Sequence, residues 1–284
     1  MGRRHLSRRS FLGRSTAAIG AAGLLAGRSI SAMGAVSRPP RMKFGLNLLL
    51  YTGDFPRSKL DLIAKVAEMG FEGVEIPIGN LEVVDAAATR RAVERAGLGV
   101  TTCSFLTEQT NIISSDPAVR RAGVERIRRS VELTAEIGAK IFCGPMYAAL
   151  GYLPGRGRTA DEWKWCVECL RVCGEHAAKA GVVIALEPLN RFETYFINTA
   201  ADVNALVRQI GHPNVRVHLD TFHCNIEEKD TGAAIRATGA NLAHFHASES
   251  DRGTPGTGQV HWKEAFAALK EINYSGWVVI ESFA

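Results

Sequence analysis

Four acidic or imidazole side chains each close a short apolar run: Glu187 after 182–186, Asp220 after 215–219, His246 after 242–245 and Glu281 after 277–280. Three carboxylates and one imidazole make a hard, oxygen-rich donor set carrying three negative charges. That set favours Mn²⁺, Co²⁺ or Mg²⁺ over a thiolate-type zinc site. A lone Asp or Glu after a strand is commonly a helix cap or a solvated loop residue. Four in succession are harder to explain that way, because neighbouring strands stand about 4.8 Å apart and their ends can converge on one ion.

The elements that must position these groups follow from the hydrophobic pattern. From residue 43 onward, β-branched runs alternate with amphipathic stretches, predicting eight strands at 43–51, 73–78, 99–105, 140–144, 182–187, 215–220, 242–246 and 277–281. Helices are predicted at 59–69, 81–96, 117–137, 160–180, 200–210, 231–237 and 262–272. Asp116-Pro117 reads as a helix start, and Gly70, Gly97, Gly138, Gly181 and Gly211 follow helix ends. This repeated order implies right-handed parallel crossovers and an α/β fold, a (β/α)8 TIM barrel with its chemistry at the C-terminal ends of the strands. An open doubly wound sheet fits less well, for lack of a glycine-rich phosphate loop after an early strand. The chain stops at Ala284, so the usual eighth helix is expected to be missing. Either the sequence is shortened or a partner closes the barrel wall, and a homo-oligomer is the expected state.

Charge is unevenly distributed. The chain of 284 residues has a formal charge of +5, but residues 1–42 hold eight arginines and no Asp, Glu or Lys. The rest carries 26 basic and 29 acidic side chains, about −3, which gives no support for a nucleic-acid groove. In the leader, Ser7-Arg8-Arg9-Ser10-Phe11-Leu12 precedes the mildly apolar run Ala17 to Ala26. That pattern resembles a twin-arginine signal, assigned to residues 1–35, with a linker at 36–42 and a catalytic barrel at 43–284. A periplasmic location is the expectation. No stretch is apolar enough to predict a membrane span. Cys166, Cys169 and Cys173 share one face of a predicted helix, which reads as a buried stripe and not a metal site.

Two segments carry a resemblance. Glu187-Pro188-Leu189-Asn190-Arg191-Phe192-Glu193, followed by 220–228, resembles the ketose 3-epimerases, the D-tagatose and D-psicose 3-epimerases among the sugar isomerase/epimerase barrels related to xylose isomerase. The similarity continues through 244–252 and Val279-Ile280-Glu281, and more weakly from Gly45 to Gly144. It implies that Glu187, Asp220, His246 and Glu281 hold a divalent ion, commonly manganese, which binds O2 and O3 of a ketose. It also implies that Glu187 and Glu281 are the acid/base pair, one removing the C3 proton to give a cis-enediolate and the other returning a proton to the opposite face. Glu193, His223 and Arg252 are implied as contacts around O1 and O2 of the sugar.

The segment 144–158 should shape the sugar pocket. A free keto-sugar is expected over a phosphorylated one, because Arg252 stands alone where a phosphate would want an anion nest or a basic cluster. A hydroxypyruvate-type isomerase, a dehydratase of a keto-inositol and a non-catalytic exported sugar-binding barrel are the alternatives. His218 and His244 lie two residues before proposed ligands, so strand alternation points them into the barrel beneath the ion. Tyr51 is placed at the end of the first strand, where it would line the pocket or join the core or an interface.

Overall fold

The computed structural model describes residues 41–283. The leader assigned as a twin-arginine signal, 1–35, and linker residues 36–40 lie outside the described residues. Eight parallel strands close into a barrel in sequence order: β1 Lys43–Asn47, β2 Gly73–Pro77, β3 Gly99–Cys103, β4 Ile141–Gly144, β5 Val183–Leu186, β6 Val215–Asp220, β7 Leu242–Ala247 and β8 Trp277–Ile280. Closure is made by β8 against β1, with Phe44 beside Val278 and Leu46 beside Ile280.

The helices are α1 Asp61–Glu68, α2 Ala86–Ala96, α3 Pro117–Ile137, α4 Ala160–Ala180, α5 Ala200–Ile210, α6 Thr221–Glu227, α7 Thr231–Thr238 and α8 Trp262–Glu271. Their ends are encoded locally. The Asp116 side chain accepts from the Ala118 N–H with Pro117 in the first turn, and Thr159 and Glu162 form a reciprocal capping box at the start of α4. Gly138 ends α3 at φ 94, where any other residue would be strained. Cys166 and Cys173 are fully buried on one face of α4 with Cys169 partly so, a stripe packed into the hydrophobic core.

Two boundaries depart most from expectation, and one helix is additional. The first strand ends at Asn47 and not at residue 51: the Asn47 side chain accepts from the Leu49 N–H and turns 48–50 into a 3₁₀ segment. Tyr51 is carried to the surface by that turn and does not line the pocket. Helix α2 begins only at Ala86, where Asp85 caps it, while 81–83 form a separate 3₁₀ turn. An additional helix, α6, follows β6 directly because Asp220, the last strand residue, is also its N-cap. Among the described residues no helix follows β8, and none is long and apolar enough to cross a membrane.

Inside the barrel, side chains fall in layers. At the bottom the Trp277 indole lies across β2 and β3, where a Cβ added at Gly73 or Gly99 would come within 2.4 or 2.3 Å of the ring. Above it the interior turns polar: Asn47, Glu75, Thr101, His218 and His244 are all essentially inaccessible. The top layer is the site.

Candidate active site

Glu187, Asp220, His246 and Glu281 project into the barrel from the ends of β5 to β8, and each offers a ligand atom within 4.8 Å of the others. Alternation and register explain the convergence. His218 pairs with His244 and Asp220 with His246 across β6 and β7, so the inward histidines form a tier under the inward ligands. All four groups are at least nine-tenths buried. Asp220 is held by the Phe222 N–H at 2.7 Å and the Ser248 hydroxyl at 3.1 Å. His246 Nδ1 stands 3.5 Å from Glu281 Oε1 and 3.9 Å from Asp220 Oδ2.

Two of the converging atoms, Glu187 Oε1 and His246 Nδ1, have no hydrogen-bond partner. A buried polar atom left unpaired costs about 1–3 kcal/mol. A divalent cation seated among these donors would satisfy both atoms and offset the three carboxylate charges, so the residues present fit a hard metal ion.

The electrostatics are asymmetric. Burial, reinforced by Glu281 and Asp220, pushes Glu187 well above the usual carboxylate range, and burial with Glu281 pushes Asp220 up to about 7. Burial also opposes ionisation of Glu281, but His246 and Arg252 outweigh it and hold that carboxyl below its ordinary value.

The residues implied as sugar contacts meet on one side of this set. His223 sits on α6 with Nε2 3.8 Å from Glu187 Oε1. The Arg252 guanidinium lies between the rings of Phe222 and Phe283, 4.2 and 4.8 Å from their centroids. Its Nη2 is 3.2 Å from His223 Nε2 and 3.4 Å from Glu193 Oε1, and Glu193 also accepts from Asn190 Nδ2 at 2.9 Å. Arg252 has φ 59, left-handed backbone that a non-glycine residue adopts at a cost of about 1–3 kcal/mol. Its carbonyl accepts from the Phe283 N–H and its N–H donates to the Glu249 carbonyl, which pins the loop in that state. These groups and the ligands border a cavity of about 200 Å³, below the about 300–1,000 Å³ of drug-sized pockets and suited to a small molecule. Gly144, Pro145 and Leu150 of the segment after β4 contribute to its wall.

The sequence reading missed Glu75 and Asn47. Glu75 lies in β2, fully buried, and receives His246 Nε2 at 2.7 Å and Asn47 Nδ2 at 2.9 Å, with His244 Nε2 2.8 Å from its other oxygen. A signal was available: a glutamate between Val74 and Ile76 in an otherwise apolar strand is out of place unless paired.

The model of the family described as "xylose isomerase-like TIM barrel" matches residues 63–284. The chain belongs to this family. Within it, this xylose isomerase-like barrel is 33% identical to the L-ribulose 3-epimerase of Methylomonas sp. (strain DH-1) over 247 residues, 87% of the chain and 86% of that protein. It is 36% identical to the ketose 3-epimerase of Arthrobacter globiformis over 244 residues, 86% and 84% of the two chains. Among solved structures, the D-allulose 3-epimerase from Methylomonas sp. superposes with a TM-score of 0.83 at 34% identity, covering 87% of this chain and 86% of that one. The relatives of this xylose isomerase-like barrel thus include sugar epimerases, enzymes of the isomerase class.

Proposed function

We propose that this xylose isomerase-like barrel is a divalent-metal-dependent epimerase that inverts C3 of a free ketose through a cis-enediolate. The observation that carries the reading is the meeting of Glu187 and Glu281 at one small cleft, from strands three places apart around the barrel, beside His223 and Arg252. Inversion needs two proton-transfer groups that reach the carbon from different sides, and two carboxyls arriving from β5 and β8 provide them. Glu187, Asp220, His246 and Glu281 would hold the cation, with Mn²⁺ the first choice, and a bound cation would polarise the substrate carbonyl and offset the charge of the enediolate.

The protein's own groups do the rest. One of the two glutamates takes the C3 proton and the other delivers one to the opposite face, and the roles exchange in the reverse direction. His223 and Arg252 direct N–H groups at the O1 and O2 end of the sugar, with Glu193 accepting a hydroxyl there. Among the described residues Arg252 is the one arginine or lysine lining the cavity, which supports an unphosphorylated substrate.

Incubating the protein with Mn²⁺ and fructose, psicose or tagatose in deuterium oxide tests this directly. The C3 hydrogen is expected to exchange. Exchange at C1 instead would make the protein an isomerase, and none with any sugar would leave a binding module. We also propose export by the twin-arginine route to the periplasm, supported by the Arg8-Arg9 motif. Replacing both arginines by lysine is expected to keep the protein in the cytoplasmic fraction.

A further inference from the structure

We propose that Glu75 is a positioning residue for this centre: it holds the Nε2–H of His246 from beneath and so turns the bare Nδ1 of that ring toward the cation. The inference rests on the metal reading of the four-ligand set. Glu75 is on β2, fully buried, and no neighbouring strand of the metal set supplies it.

Its carboxylate is saturated by hydrogen-bond donors. Oε1 lies 2.7 Å from His246 Nε2 and receives Asn47 Nδ2 at 2.9 Å. Oε2 receives the Thr101 hydroxyl at 2.7 Å and the Cys143 thiol at 3.3 Å, and His244 Nε2 stands 2.8 Å away without the geometry of a hydrogen bond. An ionised carboxylate offers about four lone-pair sites, and the four donors His246, Asn47, Thr101 and Cys143 occupy them. Glu75, Cys143, His244 and His246 could by spacing alone form a second metal site. The saturation of both Glu75 oxygens argues that it serves instead as a receiver of N–H and O–H groups.

A neutral imidazole carries one N–H. With that proton committed to Glu75, the lone pair of His246 is on Nδ1, the nitrogen that faces Glu281 and Asp220 and has no partner. This is the carboxylate–histidine–metal relation, in which an outer carboxylate fixes both the tautomer and the plane of a ligand ring. The same carboxylate reaches a second ligand through Asn47, whose Nδ2 also donates to Glu281 Oε1 at 3.0 Å. The Asn47 amide cannot be reversed, because its oxygen is taken by the Leu49 N–H at 2.9 Å.

Two measurements decide it. Imidazole ¹⁵N spectra of the wild-type protein, metal-free and loaded with diamagnetic Mg²⁺, are expected to show a protonated Nε2 on His246 in both; a bare Nε2 in either overturns the inference and needs no variant to fold. Glu75→Gln, with its fold checked by circular dichroism, is expected to bind Mn²⁺ about 10- to 100-fold more weakly than wild type. A folded variant with unchanged affinity would also overturn the inference. If the wild type itself takes up no Mn²⁺, the metal reading fails, while the Nε2 proton still decides the Glu75 contact.

Discussion

The backbone N–H of Asn190 donates to Nδ1 of His223 at 3.0 Å, and the Asn190 side-chain amide lies equally close to that nitrogen. Nδ1 is therefore the acceptor and Nε2 carries the proton, toward the cavity. Burial and the Arg252 charge push the pKa of His223 well below its usual range, so the ring is neutral and this tautomer persists at physiological pH. The Arg252 Nη2 beside it at 3.2 Å is a second donor, and both residues line the cavity, where a substrate oxygen would accept from them.

Replacing His223 with Phe removes one of these donors without altering the metal ligands. A loss of about 10-fold or more in kcat/KM on the ketose is expected, matching about 1.5 kcal/mol for a hydrogen bond in a buried site. Mn²⁺ affinity should be unchanged. Steady-state kinetics beside a metal titration check both, and an unaltered kcat/KM would remove His223 from the substrate contacts.

Arg252 combines a strained backbone with a guanidinium held between Phe222 and Phe283. Glycine at 252 relieves the left-handed strain but forfeits the aromatic contacts, and these terms are each about 1 kcal/mol and opposite in sign. The Tm of Arg252→Gly should thus stay within a few degrees of wild type while kcat/KM falls at least 100-fold. A Tm drop as large as that of a core truncation would mean that Arg252 serves the fold more than the site.

Glu281→Gln keeps the shape of the side chain and removes its charge. Both bound Mn²⁺ and C3 exchange are expected to fall, exchange by at least 100-fold, because the residue is placed as ligand and as proton-transfer group. Metal analysis and deuterium incorporation on the same sample measure the two. Undiminished metal content and turnover together would rule out the assignment.

Glu249 organises the loop that carries Arg252, accepting N–H groups from Ser250, Gly256, Val260 and Trp262 at 2.7–3.0 Å. Burial opposes its ionisation, yet these four donors hold its pKa down to about 2. The folded state then binds its proton more weakly than the unfolded chain, so the stabilisation is complete above about 4.5 and is lost as pH falls toward 2. Glu249→Gln should accordingly lower urea stability at pH 7 and narrow its difference from wild type as the pH is taken below 4. An equal difference at both pH values would show that the loop does not depend on this carboxylate.

At the bottom of the barrel, Gly73→Ala places a methyl carbon against the Trp277 ring and is expected to cost about 1–3 kcal/mol by overpacking. Combining it with Trp277→Leu should recover part of that loss, which a double-mutant cycle in urea reports. Strictly additive effects would place the clash elsewhere.

The sequence by itself determined the barrel and the identity of the four converging groups. Helix α3, α4 and α5 boundaries are written in adjacent residues, as Asp116-Pro117 and the Thr159 and Glu162 capping box show, and strand period alone turns Asp220 and His246 inward with His218 and His244 below them. What only the tertiary structure decided is how those groups are held. Glu75 is 171 residues from His246, and Asn47 is 234 from Glu281, so neither contact leaves a local spacing to read. Tyr51 left the pocket and Asp220 opened a helix because one side chain in each case captured a backbone N–H, Asn47 that of Leu49 and Asp220 that of Phe222. Periodicity reports which face a residue points to. Which nitrogen of His246 is free to bind depends on closing the barrel, because closure brings β2 across from β7 and puts a carboxylate under that ring.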